Sequence, residues 1–226
     1  MNAGEAAPPL DLRLYAIVDP ENSGGHDLVD LARAVAAGGA TLVQLRDKVN
    51  GTGRMVEEAR ALVTALRPFG VPLIVNDRAD VALAAGAAGL HVGQDDMAVE
   101  DARRLLGAGR LLGLSIRTPE QAAAAPLALL DYAGIGGVYG TLSKAGAKRP
   151  IGVDGLSEVA GILRGRVPGF PVCGIAGITA ANAAAVIAAG ADGVSVISAL
   201  SRSSDPQAAA RGLRVAVDAA RATQVS

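Results

Sequence analysis

Polar side chains able to do chemistry recur where short apolar runs of the sequence end. Gln44, Leu45, Arg46, Asp47 and Lys48 close the run Thr41–Leu45, Asn76 and Asp77 follow Leu73–Val75, and Gln94, Asp95 and Asp96 follow Gly89–Val92. Ser115 ends Leu111–Ser115, and Thr141, Leu142, Ser143 and Lys144 follow Tyr132–Val138. Ala176 and Gly177 follow Val172–Ile175, and Ile197 and Ser198 close the last run. Two carboxylates at neighbouring strand ends suit a hard cation such as Mg²⁺, which takes one or two protein carboxylates and completes its shell with water and phosphate oxygens. An aspartate just after a strand is equally able to cap the helix that follows. Lysine, arginine, amide and hydroxyl groups around such a cation would compensate the charge of an anionic ligand, although any one of them alone is as readily a solvated rim residue. Gly177 and the Ile197–Ser198 turn could seat a second phosphate on backbone N–H groups, and Gly177 could equally serve a tight turn.

The elements that must carry these residues alternate regularly. Eight apolar runs, Leu14–Val18, Thr41–Leu45, Leu73–Val75, Gly89–Val92, Leu111–Ser115, Tyr132–Val138, Val172–Ile175 and Val194–Ile197, are separated by stretches with helical periodicity. Those stretches are Asp27–Ala37, Gly53–Leu66, Arg78–Ala85, Ala98–Leu106, Thr118–Leu130, Gly155–Leu163, Thr179–Ala189 and Asp205–Ala220. Near-continuous apolar strands indicate a parallel sheet covered on both faces. Gly38, Gly70, Gly86 and Gly190 stand where left-handed helix caps are wanted, and Pro119 stands at a first helical position after Thr118. Eight strand–helix units predict a (β/α)₈ TIM barrel, with the polar strand ends gathered at its carboxyl-terminal mouth. One barrel domain is expected over residues 13–226, after a short disordered lead-in over residues 1–12.

Composition removes several function classes. Lys plus Arg (21) nearly balances Asp plus Glu (22), and with two Phe, three Tyr and no Trp the chain has neither the field nor the stacking surface for nucleic acid. The longest uncharged stretch, Cys173 to Ala191, is mostly Ala and Gly and contains Thr179 and Asn182, which suits a strand, turn and helix better than a membrane span. A single cysteine excludes an internal disulfide and a cysteine-built zinc site, and fits a reducing cytoplasm. The expected partners are small molecules, with room for a homo-oligomer.

The segments QLRDK, VNDRAD, GLHVGQDDM, GLS, GTLSK and PVCGIAGIT, followed by NAAAVIAAGADGVSVISAL, resemble thiamine phosphate synthases in order and spacing from about Leu14 to Leu200. The resemblance implies condensation of 4-amino-2-methyl-5-hydroxymethylpyrimidine diphosphate with a thiazole phosphate, through a dissociative transition state, with release of pyrophosphate. It implies Asp77 and Asp96 as Mg²⁺ ligands, with Asp95 the weaker candidate. It assigns residues 44–48, Asn76, Ser115 and Lys144 to the pyrimidine diphosphate, with Ser115 and Lys144 acting in catalysis. Thr141, Leu142, Ser143, Gly177, Ile197 and Ser198 fall to the thiazole partner. His91 is read as a hydrogen-bonded structural residue and Cys173 as packing. The sequence departs from the family pattern in three places: Arg117 stands for a common His, Ala176 for the first glycine of a Gly-Gly pair, and Gly137 and Gly140 for usual prolines. The alternatives are a thiazole tautomerase of the same superfamily, which needs no diphosphate or metal set, and a non-catalytic phosphate-binding barrel.

Overall fold

Short runs of Leu, Val and Ile bounded by turn residues make strands that can be covered on both faces. In the computed structural model, which describes residues 7–141, 143 and 149–224, these runs form β1 (Leu14–Val18), β2 (Leu42–Leu45), β3 (Leu73–Asn76), β4 (Gly89–Val92), β5 (Leu111–Ile116), β6 (Tyr132–Gly136), β7 (Val172–Ile175) and β8 (Gly193–Val196). All pair in parallel and in chain order, and β8 closes on β1, giving the eight-stranded barrel expected. Around it lie α1 (Leu28–Ala37), α2 (Thr52–Leu66), α3 (Ala79–Ala85), α4 (Val99–Leu106), α5 (Pro119–Ala124), α6 (Gly152–Arg166), α7 (Ala183–Ala188), α8 (Ser198–Ser201) and α9 (Pro206–Ala222). No helix among the described residues is long and apolar enough to cross a membrane.

Alternation along each strand divides the core in two. Leu14, Ala16, Val18, Val43 and Leu45 face outward and pack with helix residues such as Leu31, Val35, Leu62 and Leu213. Tyr15, Leu42, Ile74, Leu111, Tyr132 and Cys173 face inward and fill the barrel, with Leu12 beneath them. Full burial of each large apolar side chain stabilises the fold by roughly 1.5–3 kcal/mol. From Ala7 onward the lead-in is bound to this floor: Ala7 and Leu10 pack on the inner cluster, and a Cβ on Gly193 would lie only 1.7 Å from the Leu12 carbonyl oxygen.

Local differences from the sequence reading have local causes. The helix expected over Thr118–Leu130 stops at Ala124, because Pro126 forces Ala125 into an extended conformation (ψ 133°), and the chain resumes as a short 3₁₀ turn at Leu127–Leu129. Its start is as expected, with Thr118 and Gln121 forming a reciprocal capping box. Gly38 is right-handed (φ −79°) rather than a left-handed cap. Its need is space, since a Cβ there would lie 2.4 Å from the Gln207 carbonyl oxygen where α1 meets α9. Helix α8 has only four residues, too few to leave a periodic signal in the sequence.

The inner cluster makes the fold sensitive to alkali. Burial pushes the Cys173 thiol up to about 12 and raises the Tyr15 and Tyr132 phenols above their ordinary range. In the unfolded chain the same groups ionise near about 8.5 and about 10. The folded state therefore keeps protons that the unfolded state loses, so stability is unimpaired below about pH 8.5 and falls progressively above it. Thermal melts from pH 7 to 11 should show a midpoint that drops steeply above about pH 9, and a thiol reagent at pH 8 should modify Cys173 only after unfolding. A flat midpoint across that range would contradict this account of the interior.

Candidate active site

The carboxyl ends of β2, β3 and β4 border a cavity of about 390 Å³ whose lining includes Asp47, Lys48, Asn50, Asn76, Asp77 and Asp96. Asp77 follows β3 directly and has a left-handed backbone (φ 61°), which Asp and Asn tolerate better than most residues. That backbone turns its carboxyl toward two neighbours, the Lys48 ammonium and the Asp96 carboxyl. Asp96 also accepts a 2.8 Å hydrogen bond from the Gly93 backbone N–H. Neither aspartate occupies a helix cap: α3 begins from Arg78 and α4 from Ala98, and neither start has a side-chain cap bond. The capping alternative is thereby removed. Burial raises the Asp77 carboxyl above its ordinary range; Lys48 opposes the shift and Asp96 adds to it. Two touching carboxyls with one lysine paired to Asp77 call for more positive charge, and oxygen donors of this kind match a hard divalent cation. Among the described residues no group of three or more His, Cys, Asp or Glu could hold a metal. A carboxylate pair fits Mg²⁺, which leaves most of its shell to water and phosphate, and does not fit an all-protein cage.

On the β2 side the predicted segment divides by strand alternation. Gln44 points into the barrel and its amide N–H donates to the Tyr15 hydroxyl. Leu45 faces the helices, fully buried in the outer shell, so any substrate contact there is left to its backbone. Arg46 is ion-paired with Asp19, whose side chain is fully buried and also accepts from the Glu21 N–H (2.9 Å) and the Asn22 amide (3.2 Å). Asp47 turns back into its own loop, accepting from the backbones of Val49 and Asn50 (both 2.9 Å) and from the Asn50 side chain (2.8 Å). Its carboxylate holds the loop that carries Lys48. Asp95, exposed like Asp96, does not line that cavity.

Across the mouth, Ser115 is hydrogen-bonded to His91 Nε2 (2.9 Å), and its carbonyl accepts from Gln94 (2.7 Å). His91 is buried, also bonded to the Tyr132 hydroxyl, and burial lowers its imidazole to about 4, in keeping with a structural role. Thr141 Oγ accepts from the Ser143 N–H (3.1 Å), and the Ser143 carbonyl accepts from Asn22. Leu142 and Lys144 lie outside the described residues. Arg117, the departure from the family histidine, donates to the Gly136 and Arg149 carbonyls and so braces both flanks of the loop after β6. Gly177 is left-handed (φ 66°), with its carbonyl held by Asn182 (3.1 Å). Ile197 is the cap of α8 and Ser198 its first residue.

Two other departures meet in space. Ala176 is left-handed (φ 79°), and a Cβ on Gly137 would approach its methyl to 3.2 Å, so glycine at 137 leaves room for alanine at 176. At Gly177 there is no such room, since a Cβ would lie 2.4 Å from the Gly140 carbonyl oxygen and 2.6 Å from Tyr139 Cβ. Gly177→Ala should therefore cost at least about 2 kcal/mol, a fall of about 4 °C or more in melting temperature. Ala176→Gly should shift it by less than half as much, because relief of a strained φ offsets the extra freedom of the unfolded chain. Equal effects of the two substitutions would refute this packing.

Sequence reasoning passed over Asp19, Asn22 and the two inner tyrosines. Asp19 was within reach of the same rule used elsewhere, since it follows β1 directly. Tyr15 and Tyr132 gave no signal, because an aromatic residue within an apolar strand normally reads as core.

Comparison with known proteins gives the family. A family model described as thiamine monophosphate synthase matches residues 14–200. The chain is 48% identical over 213 residues to a thiamine-phosphate synthase of Xanthobacter autotrophicus, covering 94% of this chain and 99% of the relative. It is 46% identical to the thiamine-phosphate synthase of Agrobacterium fabrum, covering 93% and 96%. A thiamine phosphate pyrophosphorylase from Pyrococcus furiosus superposes with a TM-score of 0.81 at 33% identity, covering 92% of this chain and 96% of that one. A 3-hexulose-6-phosphate synthase (TM-score 0.60, 19% identity) shares the fold alone. With the barrel, the carboxylate pair and these matches together, the chain belongs to the thiamine monophosphate synthase family.

Proposed function

We propose that this chain joins the pyrimidine diphosphate to the thiazole phosphate, giving thiamine phosphate and pyrophosphate. The observation that carries the reading is the Asp77–Asp96 pair beside Lys48, freed from helix capping and facing a polar cavity. A tautomerase of the same fold needs no such set, and a non-catalytic barrel would have no reason to keep two carboxyls in contact. The thiazole nitrogen forms a bond to the pyrimidine methylene as its C–O bond breaks, and pyrophosphate leaves with the electron pair. No proton is removed from that nitrogen, so the site needs no general base.

The side chains divide the work. Asp77 and Asp96 would hold Mg²⁺, which supplies positive charge to the diphosphate oxygens. Arg46, fixed by Asp19, keeps further N–H donors for the same oxygens, and Lys48 and Lys144 add charge as the leaving group departs. Ser115 sits at the β5 end between these groups and the far side of the mouth. There Gly177 and Ser198 offer backbone N–H groups to the thiazole phosphate. Holding both substrates in one mouth converts the encounter into an effectively unimolecular step. A cytoplasmic location fits the single buried free thiol. The test is product identity by mass spectrometry: thiamine phosphate should form only when both substrates are present, and isomerisation of the thiazole alone would support the tautomerase instead.

A further inference from the structure

A continuous hydrogen-bonded chain crosses the barrel interior. The Gln44 amide donates to the Tyr15 hydroxyl, Tyr15 meets the Tyr132 hydroxyl at 2.9 Å, Tyr132 meets His91 Nδ1 at 3.0 Å, and His91 Nε2 meets Ser115 Oγ at 2.9 Å. Gln44, Tyr15, Tyr132 and His91 are all buried, and they come from four different strands. Packing alone does not call for them, because Leu42, Ile74 and Leu111 fill the same interior with apolar groups at no desolvation cost. The backbone is also shaped to admit them: a Cβ on Gly113 would lie 2.2 Å from Tyr132 Cζ and 2.6 Å from His91 Nδ1.

The chain has a direction. An amide NH₂ can only donate, so Tyr15 accepts from Gln44 and its own proton is free to go to Tyr132. With that order Tyr132 would donate to His91 Nδ1, which would leave the imidazole proton on Nε2. That N–H donates to Ser115 Oγ, and the hydroxyl proton of Ser115 is left for whatever occupies the mouth. We propose that Gln44, Tyr15, Tyr132 and His91 are positioning residues that hold His91 as its Nε2–H tautomer and present Ser115 to substrate as a hydrogen-bond donor. Ser115 is thereby matched to an anionic or lone-pair acceptor. It is not the nucleophile of a Ser–His pair, where its proton would point the other way. Only the naming of that acceptor as part of the diphosphate-bearing substrate rests on the function proposed above.

The tautomer is read directly on the wild-type protein by ¹⁵N NMR of labelled histidine. His91 should show a protonated Nε2 and a bare Nδ1, and the reverse assignment would overturn the proposal whether or not the protein makes thiamine phosphate. Tyr132→Phe removes the proton donated to Nδ1 and little volume. It should lower kcat on the order of 10-fold while leaving KM for the thiazole phosphate unchanged. Ser115→Ala should lose at least as much, and the double variant no more than Ser115→Ala alone. Multiplying losses in the double variant would show that Tyr132 does not act through Ser115.

Discussion

Asp96→Asn should reduce turnover by about 10³-fold or more while leaving affinity for the thiazole phosphate within about 2-fold of wild type. The two halves of this expectation come from one geometry. Asp96 follows β4, whereas Gly177 and Ser198 follow β7 and β8, and in a closed ring of eight strands β4 and β8 are opposite. Asparagine keeps the shape of the side chain and can still accept from the Gly93 N–H, but it removes the charge that would meet a cation beside Asp77. Asp77→Asn should act alike on turnover. Its unliganded fold should melt no lower than wild type, because asparagine also tolerates φ 61° and no longer confronts a second carboxyl. Calorimetric titration of thiazole phosphate and thermal melts give the two readouts. If thiazole phosphate affinity fell as steeply as turnover, the separation of the two subsites would be wrong.

The second large effect is expected at Arg46. Its guanidinium is mostly buried against Asp19, so Arg46→Met leaves a fully buried carboxylate without its cation. Breaking one side of such a pair costs about 3 kcal/mol, or roughly 6–12 °C in a domain of this size. Adding Asp19→Asn removes the stranded charge and should restore most of that stability. Turnover should stay at least about 10²-fold down in both variants, because the positive charge proposed to face the diphosphate is gone in each. Recovery of activity along with stability in the double variant would make Arg46 a structural residue only. Asp19→Asn alone should weaken diphosphate binding through a less firmly held Arg46, visible as a raised KM for that substrate.

How much of this was legible in the sequence differs by element. The barrel was open to reading because each buried strand is a compact apolar run and each helix a periodic one; seven of the eight helices expected are helical over most of their length, and Pro126 cut the other short. At the mouth, the position of a residue after a strand was legible but the direction of its side chain was not. Thus Asp77 and Asp96 come together as expected, whereas Leu45 turns outward and Asp47 folds back into its own loop. Strand alternation would have separated Gln44 from Leu45 had the strand register been known, since neighbouring residues face opposite sides. The chain from Gln44 to Ser115 could not be read at all. It depends on two tyrosines and a histidine meeting across the barrel, and on Gly113 leaving them space, none of which spacing along one strand encodes.

The most direct measurement is pyrophosphate release by the purified protein given the pyrimidine diphosphate and the thiazole phosphate, with Mg²⁺ or with excess chelator. Release should require both substrates, match thiamine phosphate formation one for one, cease in chelator and return when Mg²⁺ is restored. Full release in excess chelator would contradict the role given to Asp77 and Asp96, and absence of release with both substrates and Mg²⁺ would contradict the synthase reading itself.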